Sequence, residues 1–452
     1  MKKLYDIIIV GGGISGSLAA VSAARNGSDV LVIEQEGYLG GMLTAAGVGP
    51  MMSFHTGNTQ IIKGLTEELI SRLKSKGKST GHILDTVRYV PTVTPFDAEA
   101  MKHELEEMLL ESGGKVLYHT MLAGVKTKDS KIEKITVCNK NGLSAIQANV
   151  YIDATGDADL SKWAGVECIK GRPEDGLCQP MTMNMKMTNV SIAKIKRFVK
   201  DNPEQFPRYR GETDIVDASP RLSLGGFTGI VEEAMENGEI TFKRSKDILF
   251  FETNNKDEVI INTTRVIKYD PTDSSDLSLA EIEGRRQVRE LEKFLKKRVP
   301  GFENALLVSS GPRIGVRSSR QIMGLYTLTK DDLIACRVFE DRIAFSAYPV
   351  DIHPPEGVPT SKNKDIFIPE ESMYSIPYRT LVNDKIDNLI TVGRCISASY
   401  EAQGAIRTTP TAGAIGHAGG AAASLSVKFD VPAREVPIEK LQKLLLEQGA
   451  YI

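Results

Sequence analysis

The chain holds one tryptophan, five cysteines, no apolar run near the roughly 18 residues that cross a bilayer, and no marked charge of either sign. Cys138, Cys168, Cys178, Cys336 and Cys395 are odd in number and contain no C-x-x-C pair. That argues against a disulfide framework or a redox dithiol and for a reduced, cytoplasmic protein. A formal net charge of −2 over 452 residues gives no electrostatic reason for a nucleic-acid partner, and the basic run at 296–298 reads as a solvated helix face. The start MKKLYDIIIV has the flavour of a secretion signal, but Asp6 breaks the apolar run and a glycine turn follows at once, so a buried first strand is expected. No repeat or low-complexity linker is present, and no His/Cys/Asp group has metal-ligand spacing. The length suits two domains, or one large α/β domain with an insertion.

What is present begins at residue 6, DIIIVGGGISGSLAAVSAARNGSDVLVIEQ. Ile7 to Val10 suit a central parallel strand buried on both faces. Gly11, Gly13 and Gly16 then form G-x-G-x-x-G: a tight turn, a close approach to a pyrophosphate, and a close helix–strand contact. The next helix aims its amides and positive dipole end at phosphate, with Ile14 and Ser15 in its first turn. Gly16, Ala20 and Ala24 give it a small-residue face, and Gly27 ends it. Val30–Ile33 is a second strand, with Glu34 and Gln35 at its end. A carboxylate there binds ribose hydroxyls and disfavours a 2′-phosphate. The turn alone leaves NAD and FAD both open.

Three more stretches narrow the choice. GYLGGMLTAAGVGP (37–50) is glycine-rich and too long for an ordinary connection. VYIDATGDAD (150–159) is a strand running into Ala154-Thr155-Gly156. After 388 come a strand ending at Gly393, a loop, and a Gly/Ala helix with Thr409 as N-cap and Pro410 in its first turn.

These motifs, with RIGVRSSRQIMGLYTLT (313–329) and YPVDIH (348–353), resemble bacterial FAD-dependent oxidoreductases of the glutathione-reductase superfamily, in the branch of succinate dehydrogenase and fumarate reductase flavoproteins and p-hydroxybenzoate hydroxylase. The resemblance spans essentially the whole chain. It implies an α/β fold: a Rossmann-like FAD-binding domain, discontinuous over 1–165 and 346–452, with an inserted α+β substrate domain at 166–345 on a mostly antiparallel sheet. It implies noncovalent FAD, with the adenosine half on the first turn and Glu34, Gly40, Gly41, Leu43 and Thr44 beside the ribityl chain and flavin, and Leu122 and Ala123 along the adenine. Ala154, Thr155, Gly156 and Asp157 would close over the diphosphate, while Gly393, Arg394, Thr411 and Ala412 approach the flavin's pyrimidine edge. A helix N-terminus there stabilises charge on reduced flavin. Two departures stand out. Arg394 occupies a place where the superfamily often has an acid, and no second strand–G-x-G-x-x-G–helix unit follows, since SLGGFTG (223–229) reads as a loop.

Within the middle segment, QPMTMNMKMTNV puts Met181, Met183, Met185 and Met187 on one strand face, as sheet core or as a substrate wall. A hairpin is expected over 248–267, and helices over 60–76, 97–112 (capped by Asp97) and 278–298 (starting at Ser278).

For the substrate, Arg313, Arg317 and Arg320 lie in one short segment, and Arg317 and Arg320 are the favoured carboxylate anchors. Salt bridges between domains are the competing role. Arg407 resembles the substrate arginine of a fumarate-reductase motif whose histidine is here Gln403; a structural or phosphate-side role competes. Asp351 and His353 fall at i, i+2 of an expected strand, a pairing suited to proton transfer. His55, a conceivable covalent flavin attachment, and His417 are weaker candidates. The leading functional expectation is a dehydrogenase or reductase passing hydride between a small polar metabolite and FAD. A flavin monooxygenase, and a flavin-holding scaffold for a protein partner, are the alternatives. A homodimer is the commonest prior for assembly.

Overall fold

A computed structural model describes residues 4–243, 247–358 and 365–452; the MKK start of the opening run lies outside the described residues. Strand Leu4–Val10 (β1), nearly all buried, pairs in parallel with Val30–Ile33 (β2) on one side and with the Gly142–Asp153 strand on the other. Ile8 stands opposite Leu31 and Tyr151. Lys115–Leu117 joins β2, and Leu389–Thr391 joins Tyr151–Asp153, both again in parallel. The first half of Gly142–Asp153 instead pairs antiparallel with Lys131–Asn139, which pairs with Met121–Lys128. The result is a mixed seven-stranded sheet whose parallel strands all deliver their carboxyl ends to one edge, where ligands of open α/β sheets bind.

Helix Ile14–Arg25 (α1) is buried from Ile14 to Ala24. Its small residues do more than meet the sheet: they admit the Thr409–Phe429 helix. A Cβ on Gly416 would stand 2.2 Å from Ser15 O, and one on Gly420 would stand 2.1 Å from Ala19 O, so only glycine permits this approach. The Gly/Ala composition of that helix is thus explained by helix–helix contact.

A second, wholly antiparallel sheet runs in the order Ser223–Gly226, Ile248–Glu252, Val259–Ile261, Met185–Thr188, Leu306–Ser310. Met181, Met183, Met185 and Met187 are all buried in its core with Leu291 and Phe294 of the 25-residue helix Ser274–Arg298. The methionine stripe is sheet core. Among the described residues no helix is long and apolar enough to cross a membrane.

Several boundaries differ from expectation. The long helix begins at Ser274 because Asp273 caps it, accepting from the Ser275 and Asp276 amides. The expected 60–76 helix is Leu65–Ser75, preceded by a short strand Thr59–Gln60. SLGGFTG is not a loop: Ser223–Gly226 is a sheet-edge strand and Thr228–Glu236 a helix. Thr408, not Thr409, is the cap position of the C-terminal helix. Residues 351–353 are irregular rather than strand. Asp97 does cap Ala98–Glu111, and the 248–267 hairpin is present.

Candidate active site

A cavity of about 530 Å³ opens at the carboxyl edge of the parallel strands. Gly11 follows β1 at φ +102, and a Cβ there would lie 2.4 Å from Ala154 O. The Ala154 backbone cannot yield easily, since its amide donates to Val10 O at 2.9 Å. Gly13 stands at the α1 N-cap without a side chain to satisfy the first amides, which leaves them for a ligand. Glu34 accepts from Gly12 N at 2.6 Å and from Glu36 N at 2.8 Å. Burial raises its carboxyl above the usual range, and those two amides limit the rise. Each oxygen keeps a lone pair for a hydroxyl donor.

Asp153 shapes the next turn. Fully buried at its strand's end, it accepts from Thr155 N (3.1 Å), Thr155 Oγ1 (2.7 Å), Ser161 N (2.8 Å) and Ser161 Oγ (2.7 Å). Beyond it, Arg394 donates from Nη2 to Asp157 Oδ1 at 2.7 Å, and its guanidinium lies against Gly156. The acid absent after Gly393 is thus met across the turn by Asp157. Among the described residues, Arg394 Nε, Arg407 Nε and Asn184 Oδ1 are buried without hydrogen-bond partners, and all three residues line the cavity. Orphaned groups of this kind, beside glycines that a Cβ would block, fit a large polar dinucleotide.

Of the expected cofactor residues, Gly11, Gly13, Ile14, Ser15, Glu34, Gln35, Gly41, Leu122, Ala154, Thr155, Gly156, Asp157, Gly393, Arg394 and Ala412 line this cavity. Gly16, Gly40, Leu43, Thr44, Ala123 and Thr411 stand off its wall, and several have structural work instead. A Cβ on Gly16 would meet Gly11 O at 1.9 Å, Thr44 Oγ1 donates to Leu39 O at 2.7 Å, and Thr411 Oγ1 lies 3.0 Å from Ser346 Oγ.

The arginine segment divides three ways. Arg313 lines the cavity near Glu34 and pairs with Glu36, Nη1 to Oε1 at 3.3 Å. Arg317 lines it elsewhere, donating through Nη1 to Pro180 O at 2.6 Å and Thr182 Oγ1 at 2.5 Å. Arg320 turns away: Nη1 binds Asp159 Oδ1 at 2.8 Å and Asp157 O at 2.7 Å, so it is a structural tie and not a cavity residue. The reason is register, because Arg320 begins a strand paired with Cys168–Lys170.

Around Arg317 gather Arg407, Asp351, His353 and Tyr348, all on the cavity wall. Arg407 Nη2 lies 3.1 Å from Asp351 Oδ2, and His353 Nε2 lies 3.4 Å from Asp351 Oδ1. Burial pulls the Arg317 guanidinium down to about 9, reinforced by the like charges of Arg407 and Arg265. Burial also lowers the His353 imidazole; Asp351 opposes this and Arg317 adds to it. Burial would raise Asp351, but His353, Arg407 and Arg317 together hold it below the usual carboxylate range. On the cavity wall the cluster is therefore two cations, one anion and a neutral imidazole, with Arg265 and Asp365 behind it.

Thr182, Asn184 and Asn262 also line the cavity and were not singled out. The same alternation that buries the methionines assigns Thr182 and Asn184 to the opposite face, so the signal was present. His55 is off the wall, with Nδ1 3.0 Å from Thr92 Oγ1, and buried His417 Nε2 meets Gln448 Oε1 at 2.7 Å. Among the described residues, ligand-type side chains meet in one place outside the cavity: His103, Glu104 and Glu107, where Lys76 Nζ binds both carboxylates and already supplies the countercharge.

The fold and cavity define a dinucleotide-dependent enzyme, and comparison with known proteins defines its class. A model of the family "FAD dependent oxidoreductase" matches residues 6–445, and the chain belongs to that family. It is a flavoprotein oxidoreductase that uses FAD. Relatives include the digeranylgeranylglycerophospholipid reductases of Thermoplasma volcanium (27% identical over 37% of this chain and 43% of the relative) and Methanosarcina acetivorans (26%, 37% and 42%). The match thus spans less than half the length of these curated relatives. Among solved structures, a geranylgeranyl bacteriochlorophyll reductase-like protein from Thermoplasma acidophilum aligns over 99% of this chain and 84% of its own at 13% identity and a TM-score of 0.49. L-proline dehydrogenase from P. horikoshii aligns over 100% of each chain at 13% identity and a TM-score of 0.48.

Proposed function

We propose that this protein is a dehydrogenase or reductase of a small anionic metabolite, built on a glutathione-reductase-type frame, with residues 1–165 and 346–452 holding FAD and 166–345 supplying part of the substrate wall. Glu34 takes the ribose hydroxyls of the adenosine half, the Gly11–Ser15 turn and Arg394 take the diphosphate, and the segment around Gly41 and the start of the Thr409–Phe429 helix take the flavin half. Bound FAD supplies the hydride acceptor or donor, at N5 of its ring.

The observation that carries the substrate reading is the charge surplus of the inner cluster. On the cavity wall Arg317 and Arg407 face one carboxylate, Asp351, while Arg265 and Asp365 add one charge of each sign from off the wall; among the described residues Arg407 Nε has no hydrogen-bond partner. A partly buried cation in excess calls for an anion, and a guanidinium fork binds a carboxylate with two parallel bonds. Asp351 orients the His353 ring by facing Nε2, which leaves Nδ1 to accept a proton from a substrate hydroxyl or amine. An uncharged hydrocarbon in the same place would leave this surplus uncompensated. The test is anaerobic mixing of the flavin-loaded protein with small hydroxy- and amino-carboxylates and with their uncharged amides. Bleaching of the flavin by a carboxylate but not by its amide is expected. Equal bleaching by both, or by neither class together with no reoxidation of reduced protein by unsaturated or oxo acids, refutes the proposal.

A further inference from the structure

We infer that Arg313 is a nucleotide-binding residue, a donor that the segment after the second sheet brings to the adenosine side of the FAD site. The inference rests on the proposed placement of the adenosine half at Glu34. It separates Arg313 from the substrate-anchoring role that its sequence neighbours suggest.

The segment carrying it is held from two directions. Arg313 N donates to Ala45 O at 2.9 Å, while Gly311 N and Gly315 N donate to Asn184 O and Thr182 O at 3.0 and 2.8 Å. A Cβ on Gly311 would stand 2.9 Å from Ala46 O, so the backbones touch. Ile314 N donates to Glu281 Oε1 of the long helix at 2.7 Å. The backbone at 313 is therefore fixed against the wall, and the side chain is what remains free to meet a ligand.

That side chain uses little of its bonding capacity. Guanidinium offers five N–H donors in a planar fork. Among the described residues the Arg313 side chain makes one polar contact, from Nη1 to Glu36 at 3.3 Å, and it is 36% exposed. Its charge is felt across the corner: it pulls down the carboxyl of Glu34 and the phenol of Tyr38, in each case against the upward push of burial. Glu34 can only accept hydrogen bonds, whereas Arg313 can only donate them. Ribose hydroxyls do both, and adenine nitrogens accept, so the two residues are complementary partners for an adenosine. Arg317, four residues on, sits in the inner cluster, and four residues of chain reach at most about 14 Å. One segment thus serves the nucleotide and the substrate with two arginines of different function.

The experiment is equilibrium titration of the full chain, stripped of flavin, with FAD, ADP and FMN. It is read by emission of Trp163, the only tryptophan, which lines the same cavity. In Arg313→Met, FAD and ADP should bind about tenfold more weakly while FMN, which has no adenosine, binds as in the wild type. Arg313→Lys, which keeps the charge but not the fork, should fall between. Unchanged FAD and ADP affinity overturns the inference. So does parallel weakening of FMN, which would make Arg313 a general structural tie. Neither outcome depends on turnover, so this test can fail while the substrate proposal stands, and the reverse.

Discussion

Replacing Asp153 with asparagine should unsettle the turn that runs from Ala154 to Ser161 by an amount the geometry allows to be worked out. Oδ1 serves the amide and hydroxyl of Thr155, and Oδ2 serves those of Ser161. In Asp153→Asn one of these oxygens becomes an NH₂ donor. The hydroxyl on that side can rotate to accept from it, but the backbone amide cannot. If the amide nitrogen faces Ser161, a buried Ser161 N–H is orphaned; if it flips, Thr155 N–H is orphaned instead. Either choice strands one amide, at about 1–3 kcal/mol. The surviving bonds lose the help of a full charge, roughly another 1 kcal/mol. The total, about 2–4 kcal/mol, is a large share of the ~5–15 kcal/mol that holds a domain folded. Urea unfolding followed by Trp163 emission reads this locally, because Trp163 ends the short helix Asp159–Trp163 that contains Ser161. With a slope of ~3 kcal/mol per molar, the midpoint should fall by about 1 M. A shift below ~0.3 M would show that the four bonds do not hold the turn.

Gly11→Ala combines a left-handed φ with a Cβ 2.4 Å from a fixed carbonyl oxygen, and should weaken FAD binding at least tenfold in the same titration. Arg407→Met should raise the KM for an anionic substrate by ~10-fold or more and raise that for its uncharged amide far less, as steady-state rates would show. Because burial depresses His353, the proton acceptor stays unprotonated well into acid. The fall of kcat/KM on acidification should therefore lie below the ordinary histidine value of ~6.5, and a limb at or above 6.5 would contradict the assignment. Burial likewise drives His417 down to about 4. A depressed folded pKa means stability fully present above the unfolded value and lost as pH falls from ~6.5 toward 4, by up to about 3 kcal/mol. His417→Gln should flatten that slope in thermal unfolding scans across the window.

The strands and turns that border the cavity at the first G-x-G-x-x-G were legible because their signals are short runs of sequence. The G-x-G-x-x-G turn, an acid at the end of the second strand and a strand running into Ala154-Thr155-Gly156 are each written in a few consecutive residues, although the atom that a Gly11 Cβ would meet, Ala154 O, lies 143 positions away. The inner cluster around Arg317 depends on pairings farther apart in sequence, and only part of it was legible. Asp351, His353 and Arg407 do meet, although 351–353 form no strand. Nothing in RIGVRSSR indicates that its arginines diverge. Their fates are set by Glu36, by Thr182 and by Asp159, residues 277, 135 and 161 positions away respectively. The role of Asp153 is not visible in the sequence, because it appears only once Ser161 folds back over it. The Thr182 and Asn184 positions are implied by the methionine alternation itself: both faces of that stretch are buried, one in the sheet core and the other against the cavity.

The central claim is that one cavity, closed by Gly11, Ala154 and Gly393, receives FAD. Titrating flavin-free protein with FAD while recording flavin absorbance and Trp163 emission together tests it directly. The account predicts one equivalent bound, with emission falling in step with binding, and both signals displaced to much higher FAD concentration by Gly11→Ala. Flavin binding that leaves Trp163 emission untouched, or that proceeds equally well in Gly11→Ala, would place the cofactor elsewhere and contradict it.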